Sequence, residues 1–169
     1  MTQRPTAAYW INKLGLTSHV EGGAFAEVYR SSLVIPRKSL PILFQGDRHV
    51  STSIYFLLAE GQFSAFHRIA SDECWHFYHG DPLLIYEIGH NGQMTTHLLG
   101  ADFERGQRFQ TVVRAGSWFA SVPAPGSEYA LVGCTVAPGF DFADFELAER
   151  AALSMQYPQH SAIIAKLTR

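Results

Sequence analysis

The sequence predicts an all-β fold, a single barrel or jelly roll with a short helix at each end. Short segments rich in β-branched and aromatic residues alternate with turns that contain Gly, Pro or Asn. Helical spacing of apolar residues occurs only near the two ends of the chain. Hydrophobic residues make up 47% of the 169 residues, which is enough for one core. We therefore expect residues 1–169 to form one domain.

The first segment, residues 6–16, is predicted to be an amphipathic helix. Thr6 can cap its start through its side-chain oxygen, and Gly15 can end it in a left-handed conformation. Trp10 and Leu14 lie at helical spacing between them. The helix therefore has one apolar side that can pack on the barrel.

The next segments are predicted to be a strand and a long loop. Residues 25–29 alternate in polarity as a strand does. Glu21 and Arg30, on either side of it, form either a surface ion pair or part of a pocket mouth. Residues 33–47 contain two prolines and a glycine, which favours a loop that can fold over the barrel opening as a lid.

The later part of the chain is predicted to be further strands, a second helix that Asp144 caps and that ends before Pro158, and an apolar tail that packs back on the barrel. Asn91 and Gly92 form a typical hairpin turn between two of the strands. The predicted strands cover residues 49–58, 82–88, 94–99, 109–113, 118–119 and 129–136.

The middle of the chain, residues 61–80, is predicted to be a strand pair joined by a tight turn. Side chains alternate between the two faces of a strand, so Glu73 shares a face with Trp75 and with the more distant His79. If that face meets the face of His67, then His67 and Glu73 converge inside the barrel.

The spacing of residues 61–80 resembles the first motif of the cupin superfamily: Gly, five residues, His-x-His, three or four residues, Glu, six residues, Gly. Gly61, His67, Glu73 and Gly80 match it, whereas Ile69 stands in the place of the second histidine. Further stretches resemble the fifth cupin family, a domain of unknown function. These are residues 20–23, 54–58, 66–68, 71–73, 75–78 and 131–142.

The resemblance implies a double-stranded β-helix (jelly-roll) cupin barrel and a divalent metal held by three histidines and a glutamate. Ile69 and Phe119 occupy two of those four ligand positions, and neither side chain can coordinate a metal. We therefore predict no metal ligands and no cofactor. A metal-dependent cupin enzyme remains an alternative.

Without a metal, His67 and Glu73 are the candidate catalytic residues. Burial and mutual interaction would shift the pKa of each group into a range useful for general acid–base chemistry. The resemblance to metal-independent cupins suggests an isomerase or epimerase that acts on a sugar-like or other small polar substrate. The alternatives are a non-catalytic binding or sensing protein and a buried pair that only holds two strands together. Tyr55, Trp75, Trp118 and Phe119 are the candidate ligand-binding residues.

Charge and composition restrict the partners of the chain. Thirteen basic and fifteen acidic residues, without long runs of either, argue against nucleic acid as a partner. No apolar run approaches the ~20 residues that span a bilayer, so we expect no membrane partner and a cytoplasmic protein with two reduced cysteines. Exposed sheet edges are usually covered, which favours a homodimer.

Overall fold

The computed structural model describes residues 4–169 as two antiparallel sheets packed face to face in a jelly roll. The strands of the six-stranded sheet, in their order across it, are β1 (Thr17–Ser18), β2 (Ala24–Arg30), β5 (Thr52–Ala59), β12 (Tyr129–Ala137), β7 (Asp72–Gly80) and β10 (Gln110–Val113). The strands of the five-stranded sheet, in their order across it, are β13 (Glu146–Leu147), β6 (Ser64–Arg68), β11 (Trp118–Pro123), β8 (Leu83–Ile88) and β9 (Met94–Leu99).

A small third sheet and three helices complete the fold. Strand β3 (Val34–Ile35) lies within the segment 33–47 that the sequence predicts to be a loop, and it pairs with β4 (Arg48–His49), which directly follows that segment. Helices α1 (Ala7–Leu14), α2 (Arg150–Gln156) and α3 (Ser161–Lys166) lie at the two ends of the chain. The predicted all-β jelly roll with terminal helices is confirmed.

Apolar side chains fill the space between the sheets and cover both outer faces. The central cluster includes Phe56, Trp75 and Phe119, which are almost completely buried. A second cluster lies where α2 and α3 cover the five-stranded sheet, and a third lies where α1 covers the six-stranded sheet. The helices are therefore held by burial of their apolar sides.

Helix α1 has the ends that the sequence predicts. The Thr6 side chain accepts a hydrogen bond from the Tyr9 backbone N–H at 3.2 Å. Gly15 follows the helix in the left-handed conformation with φ of 64°. Both ends thus satisfy backbone groups that a helix leaves unpaired.

Asp144 does not cap α2, so that prediction was wrong. Its carboxylate instead pairs with the buried Arg48 guanidinium at 2.6 Å, and β13 follows before the helix begins. Glu149 caps the helix and accepts hydrogen bonds from the backbone N–H groups of Ala151 and Ala152. The reason is that a buried guanidinium requires a carboxylate more strongly than an exposed helix end does.

A β-bulge in β7 changes which side chains face the interior. Phe77 lies opposite Val132 and His79 lies opposite Leu131, so Tyr78 is an extra residue between two cross-strand pairs. Side chains beyond the bulge change faces. The expectation that His79 shares the face of Glu73 was therefore wrong: His79 lies outside and stacks on Tyr129.

Among residues 4–169, none of the helices has the length and apolar character needed to cross a membrane.

Candidate functional site

A cavity of about 360 Å³ opens between the two sheets. Strands β2, β5, β6, β7 and β12 supply most of its lining, together with the segment before β2 and the segment after β12. Its lining residues are His19, Glu21, Phe25, Glu27, Arg30, Thr52, Ile54, Phe56, His67, Ile69, Glu73, Cys134, Val136, Phe140, Asp141 and Phe142. The volume suits a small organic ligand.

The predicted pair His67 and Glu73 both line this cavity, as strand parity indicated. The imidazole, however, makes its close contact with a different carboxylate. Its Nε2 lies 3.1 Å from Oε2 of Glu21, and its Nδ1 lies 2.7 Å from the carbonyl oxygen of Ala65. His67 thus pairs with Glu21, and the Glu73 carboxyl group faces the same cavity.

The contacts of His67 determine where its proton lies. A carbonyl oxygen only accepts hydrogen bonds, so the contact with Ala65 requires the proton on Nδ1. Nε2 of the neutral ring is then an acceptor and faces an oxygen of Glu21. Burial raises the pKa of Glu21 to about 7 and lowers the pKa of His67. One proton therefore lies between Glu21 and Nε2, and burial favours the neutral pair.

Glu73 is the second buried carboxyl group of the cavity, with 8% of its surface exposed. Burial raises its pKa to about 7, His67 opposes this rise and the Glu21 carboxyl group adds to it, and the Cys134 thiol and the Trp75 indole oppose it less. The Trp75 indole lies close enough to lower this pKa, yet its N–H makes no hydrogen bond of acceptable geometry. The cavity therefore holds two carboxyl groups that titrate near neutral pH.

His19 lies at the same end of the cavity. Its Nδ1 accepts a hydrogen bond from the backbone N–H of Glu21 at 3.3 Å, and burial lowers its pKa. The ring packs edge-on against Phe25 at 4.6 Å and lies parallel to Phe142. A neutral imidazole thus lies among phenyl rings at the cavity wall.

The mouth of the cavity carries an ion pair. A second bulge leaves Val28 as the extra residue in β2, which brings Glu27 and Arg30 onto the same face. Arg30 donates to both oxygens of Glu27, at 2.6 and 3.0 Å. Arg30 thus lies at the pocket mouth, one of the two placements considered, but it pairs with Glu27 and not with Glu21.

The four predicted ligand-binding residues fall into two groups. Phe119 and Trp75 are buried in the central cluster, and the Phe119 ring lies 4.1 Å from the His67 ring. They support the cavity from behind its lining and are not among the residues that line it. Tyr55 and Trp118 do not line the cavity either, and both lie on the outer sides of their strands.

Strand alternation explains why Tyr55 and Trp118 point outward. Tyr55 lies between Ile54 and Phe56, which face the cavity, so it points outward and packs against Tyr78. Trp118 precedes the inward-facing Phe119, so it belongs to the outer cluster under α2 and α3. The loop at residues 33–47 likewise supplies no lining residue, which does not support its assignment as a lid.

Arg68 follows His67 in β6, so its side chain lies on the opposite face of the strand and has its partner outside the cavity. It pairs with Glu146 at 2.6 Å and lies over the Trp118 ring at 4.5 Å. It is therefore part of the outer surface and not of the cavity.

Sequence reasoning did not identify the roles of His19 and Glu21. Both precede the glycine pair Gly22–Gly23, and both of these glycines have positive φ. The turn folds the chain back so that the carbonyl oxygen of Glu21 accepts a hydrogen bond from the Ala65 N–H. A glutamate directly before two glycines, with a histidine two positions earlier, was the available signal, but the partner of Glu21 on β6 is distant in sequence.

The side chains around His67 do not fit the metal site that the cupin motif implies. Ile69 and Phe119 are buried apolar residues at two of the ligand positions, and both ring nitrogens of His67 already have partners. In the described part of the chain, no group of three or more His, Cys, Asp or Glu side chains is arranged to hold a metal ion. We derive no chemical step through a metal.

Comparison with known proteins identifies relatives over nearly the full length of the chain. The family described as cupin superfamily (DUF985) matches residues 8–148. An uncharacterised protein of Saccharomyces cerevisiae is 32% identical over 146 residues, which cover 79% of this chain and 71% of that protein.

Solved structures show the same fold. A hypothetical protein from Leishmania major has a TM-score of 0.89 and 36% identity, with coverage of 97% of this chain and 99% of that one. A protein from Shewanella oneidensis has a TM-score of 0.88 and 42% identity, with 98% coverage of both chains. Oxalate decarboxylase from Bacillus subtilis, at 12% identity, has a TM-score of 0.55 over 89% of this chain and 36% of its own. That last similarity concerns the fold alone.

Proposed function

The chain belongs to the DUF985 family of the cupin superfamily, and we propose that its cavity binds a small polar organic molecule and transfers a proton on it, as isomerases and epimerases do. One observation carries the proposal. The Glu21–His67 pair and the Glu73 carboxyl group face the same cavity of about 360 Å³.

Proton transfer at a carbon beside a carbonyl group requires a base for the carbon and a donor for the oxygen. Ionised Glu73 can take the proton from the carbon, while the C–H electron pair moves into the developing enolate. The proton held between Glu21 and His67 can stabilise the oxygen of that enolate. Return of the proton from Glu73 to the same carbon gives back the substrate. In a 2-hydroxycarbonyl substrate, its return to the neighbouring carbon gives the isomer, while the hydroxyl proton shifts to the former carbonyl oxygen through the Glu21–His67 pair.

The pKa values of the two carboxyl groups suit this role. A general base works best when its pKa lies near the working pH, because it is then both ionised and basic. Burial raises the pKa of Glu73 to about 7, so a substantial fraction is ionised at neutral pH while it remains a stronger base than an exposed glutamate. The phenyl rings of Phe25, Phe56 and Phe140 limit the water around the reacting atoms.

Hydrogen–deuterium exchange tests the proposal without knowledge of the substrate. Small aldehydes, ketones and ketoses are incubated with the protein in deuterated water, and proton NMR follows the loss of signals from carbons beside the carbonyl. We expect exchange with the wild-type protein and its loss in Glu73→Gln and His67→Asn. Glu146→Gln, on the outer surface, is the matched control and should exchange at the wild-type rate.

Two outcomes would contradict the proposed chemistry. Exchange at the full rate in Glu73→Gln would exclude Glu73 as the base. Ligand binding that Glu73→Gln abolishes, with no exchange in the wild-type protein, would indicate a non-catalytic binding protein.

A further inference from the structure

We propose that the ligand of this cavity carries a positively charged nitrogen, an amine or a related organic cation. This inference rests on the proposed function, because it names the substrate class of the same site. It follows from the charges and the ring systems that line the cavity.

Carboxyl groups dominate the charge of the lining. Four of its side chains are acidic, and Arg30 is its one Lys or Arg side chain. Arg30 is already paired with Glu27 through two hydrogen bonds, and its Nη1 also donates to the carbonyl oxygen of Phe140. Asp141 lies near both Arg30 and Arg48, so Glu21 and Glu73 are the acidic side chains of the lining that have no Arg or Lys side chain of the lining beside them. An anionic ligand would meet repulsion here, because like charges in a poorly solvated site repel strongly.

The apolar part of the lining is largely aromatic. Phe25, Phe56, Phe140 and Phe142 contribute phenyl rings, and Phe140 and Phe142 pack edge to face with centroids 5.0 Å apart. The face of an aromatic ring carries negative electrostatic potential and attracts cations. Phenyl rings next to carboxylates form the environment that recognises ammonium groups. The volume, which corresponds to roughly twelve water molecules, fits an organic cation better than a bare metal ion.

Two buried polar groups lie behind the carboxyl groups of the cavity. The Ser64 hydroxyl lies beside Glu21 and the Trp75 indole N–H lies beside Glu73, although neither residue belongs to the lining. Each is close enough to lower the pKa of its neighbouring carboxyl group. Their placement therefore favours the ionised carboxylates that an ammonium group would contact.

Cation binding is linked to the release of protons. A bound ammonium stabilises an ionised carboxylate, so the pKa of the contacting carboxyl group falls and its proton leaves. Affinity should therefore increase as the pH rises through about 7, the pKa of Glu73. The groups that face the carboxyl groups are His19, Glu27, Arg30, His67, Cys134 and Asp141, with Arg169 outside the lining beside Glu21. The same ionisation makes Glu73 the base that the proposed chemistry needs.

Three probes of similar shape separate charge from size: phenethylamine, 2-phenylethanol and phenylacetate. Calorimetric titration measures the dissociation constant of each with the full chain. We expect the amine to bind at least about tenfold more tightly than the alcohol, because each charge-assisted contact is worth more than a neutral one, and phenylacetate to bind most weakly. Titrations of the amine in two buffers with different ionisation enthalpies should show proton release.

Variants and pH complete the test. Glu73→Gln should reduce amine affinity about tenfold or more and leave binding of 2-phenylethanol unchanged, whereas Glu60→Gln, on the surface, should change neither. Phenylacetate binding that equals amine binding, or amine affinity that does not change with pH, would overturn the cation assignment and leave the cavity as a ligand site. If none of the three probes binds, the proposed ligand cavity itself is refuted, and the cation assignment with it.

Discussion

Replacement of Glu73 by glutamine tests whether burial of this carboxyl group destabilises the folded protein. Glutamine has nearly the same shape and keeps a carbonyl oxygen, but it cannot ionise. Burial raises the pKa of Glu73 from an ordinary 4.5 to about 7. The folded protein therefore binds this proton more tightly than the unfolded chain does.

The size and direction of the effect follow from that shift. Below about pH 4.5 the carboxyl group is protonated in the folded and the unfolded protein, so its titration does not change the free energy of unfolding. As the pH rises toward about 7, only the unfolded chain loses the proton, so the free energy of unfolding falls with pH. A rise from 4.5 to about 7 corresponds to about 3 kcal/mol. We expect Glu73→Gln to be more stable than the wild type by up to about 3 kcal/mol above neutral pH, a rise of roughly 6–12 °C in Tm.

Urea unfolding followed by tryptophan fluorescence, between about pH 5 and about pH 8, measures this difference. The stability of the wild type relative to Glu73→Gln should fall across this range. His19 and His67, whose pKa values are lowered by burial, have the opposite pH dependence, but they titrate in both proteins, as Glu21 does. Glu60→Gln, which removes an exposed carboxyl group, should follow the wild type. A stability difference between the wild type and Glu73→Gln that does not change with pH would refute the reasoning.

Four further outcomes are expected. Asp144→Asn should lower the free energy of unfolding by about 3–5 kcal/mol in urea titrations, because it leaves the buried Arg48 without its carboxylate; a cost below about 1 kcal/mol, typical of an exposed pair, would contradict this. Gly22→Ala should cost about 1–3 kcal/mol and weaken ligand binding, because Gly22 has φ of 119° and a Cβ there would overlap the carbonyl oxygen of Phe63; unchanged urea curves would count against it. Light scattering should give twice the mass of one chain, since within residues 4–169 no strand pairs with the outer edge of β2 at residues 27–30, which expose two apolar side chains; the mass of a single chain at micromolar concentration would exclude the dimer. Elemental analysis should find no stoichiometric metal, because two of the four family ligand positions hold apolar residues; one tightly held equivalent that is lost in His67→Ala would reverse this expectation.

Local patterns were sufficient to predict most of the fold. The capped helix α1, the turn at Asn91 and Gly92, and the convergence of His67 and Glu73 depend on residues close in the chain and on strand alternation. These signals are local because capping, turn geometry and alternation are properties of a few adjacent residues. The family resemblance then extended the prediction from these local elements to the whole barrel.

Tertiary contacts determined the rest. The bulge at Tyr78 places His79 on the outer face of β7. Asp144 does not cap a helix, because it pairs with a buried arginine almost a hundred positions earlier in the chain. Such outcomes depend on which distant group needs a partner, and no local pattern contains that information.

The sequence by itself determined that His67 and Glu73 face one interior. Only the tertiary structure decided that Glu21 is the partner of His67. The reason is physical: a buried imidazole takes the nearest carboxyl group in space, and the turn at Gly22 and Gly23 brings one from forty-six residues away.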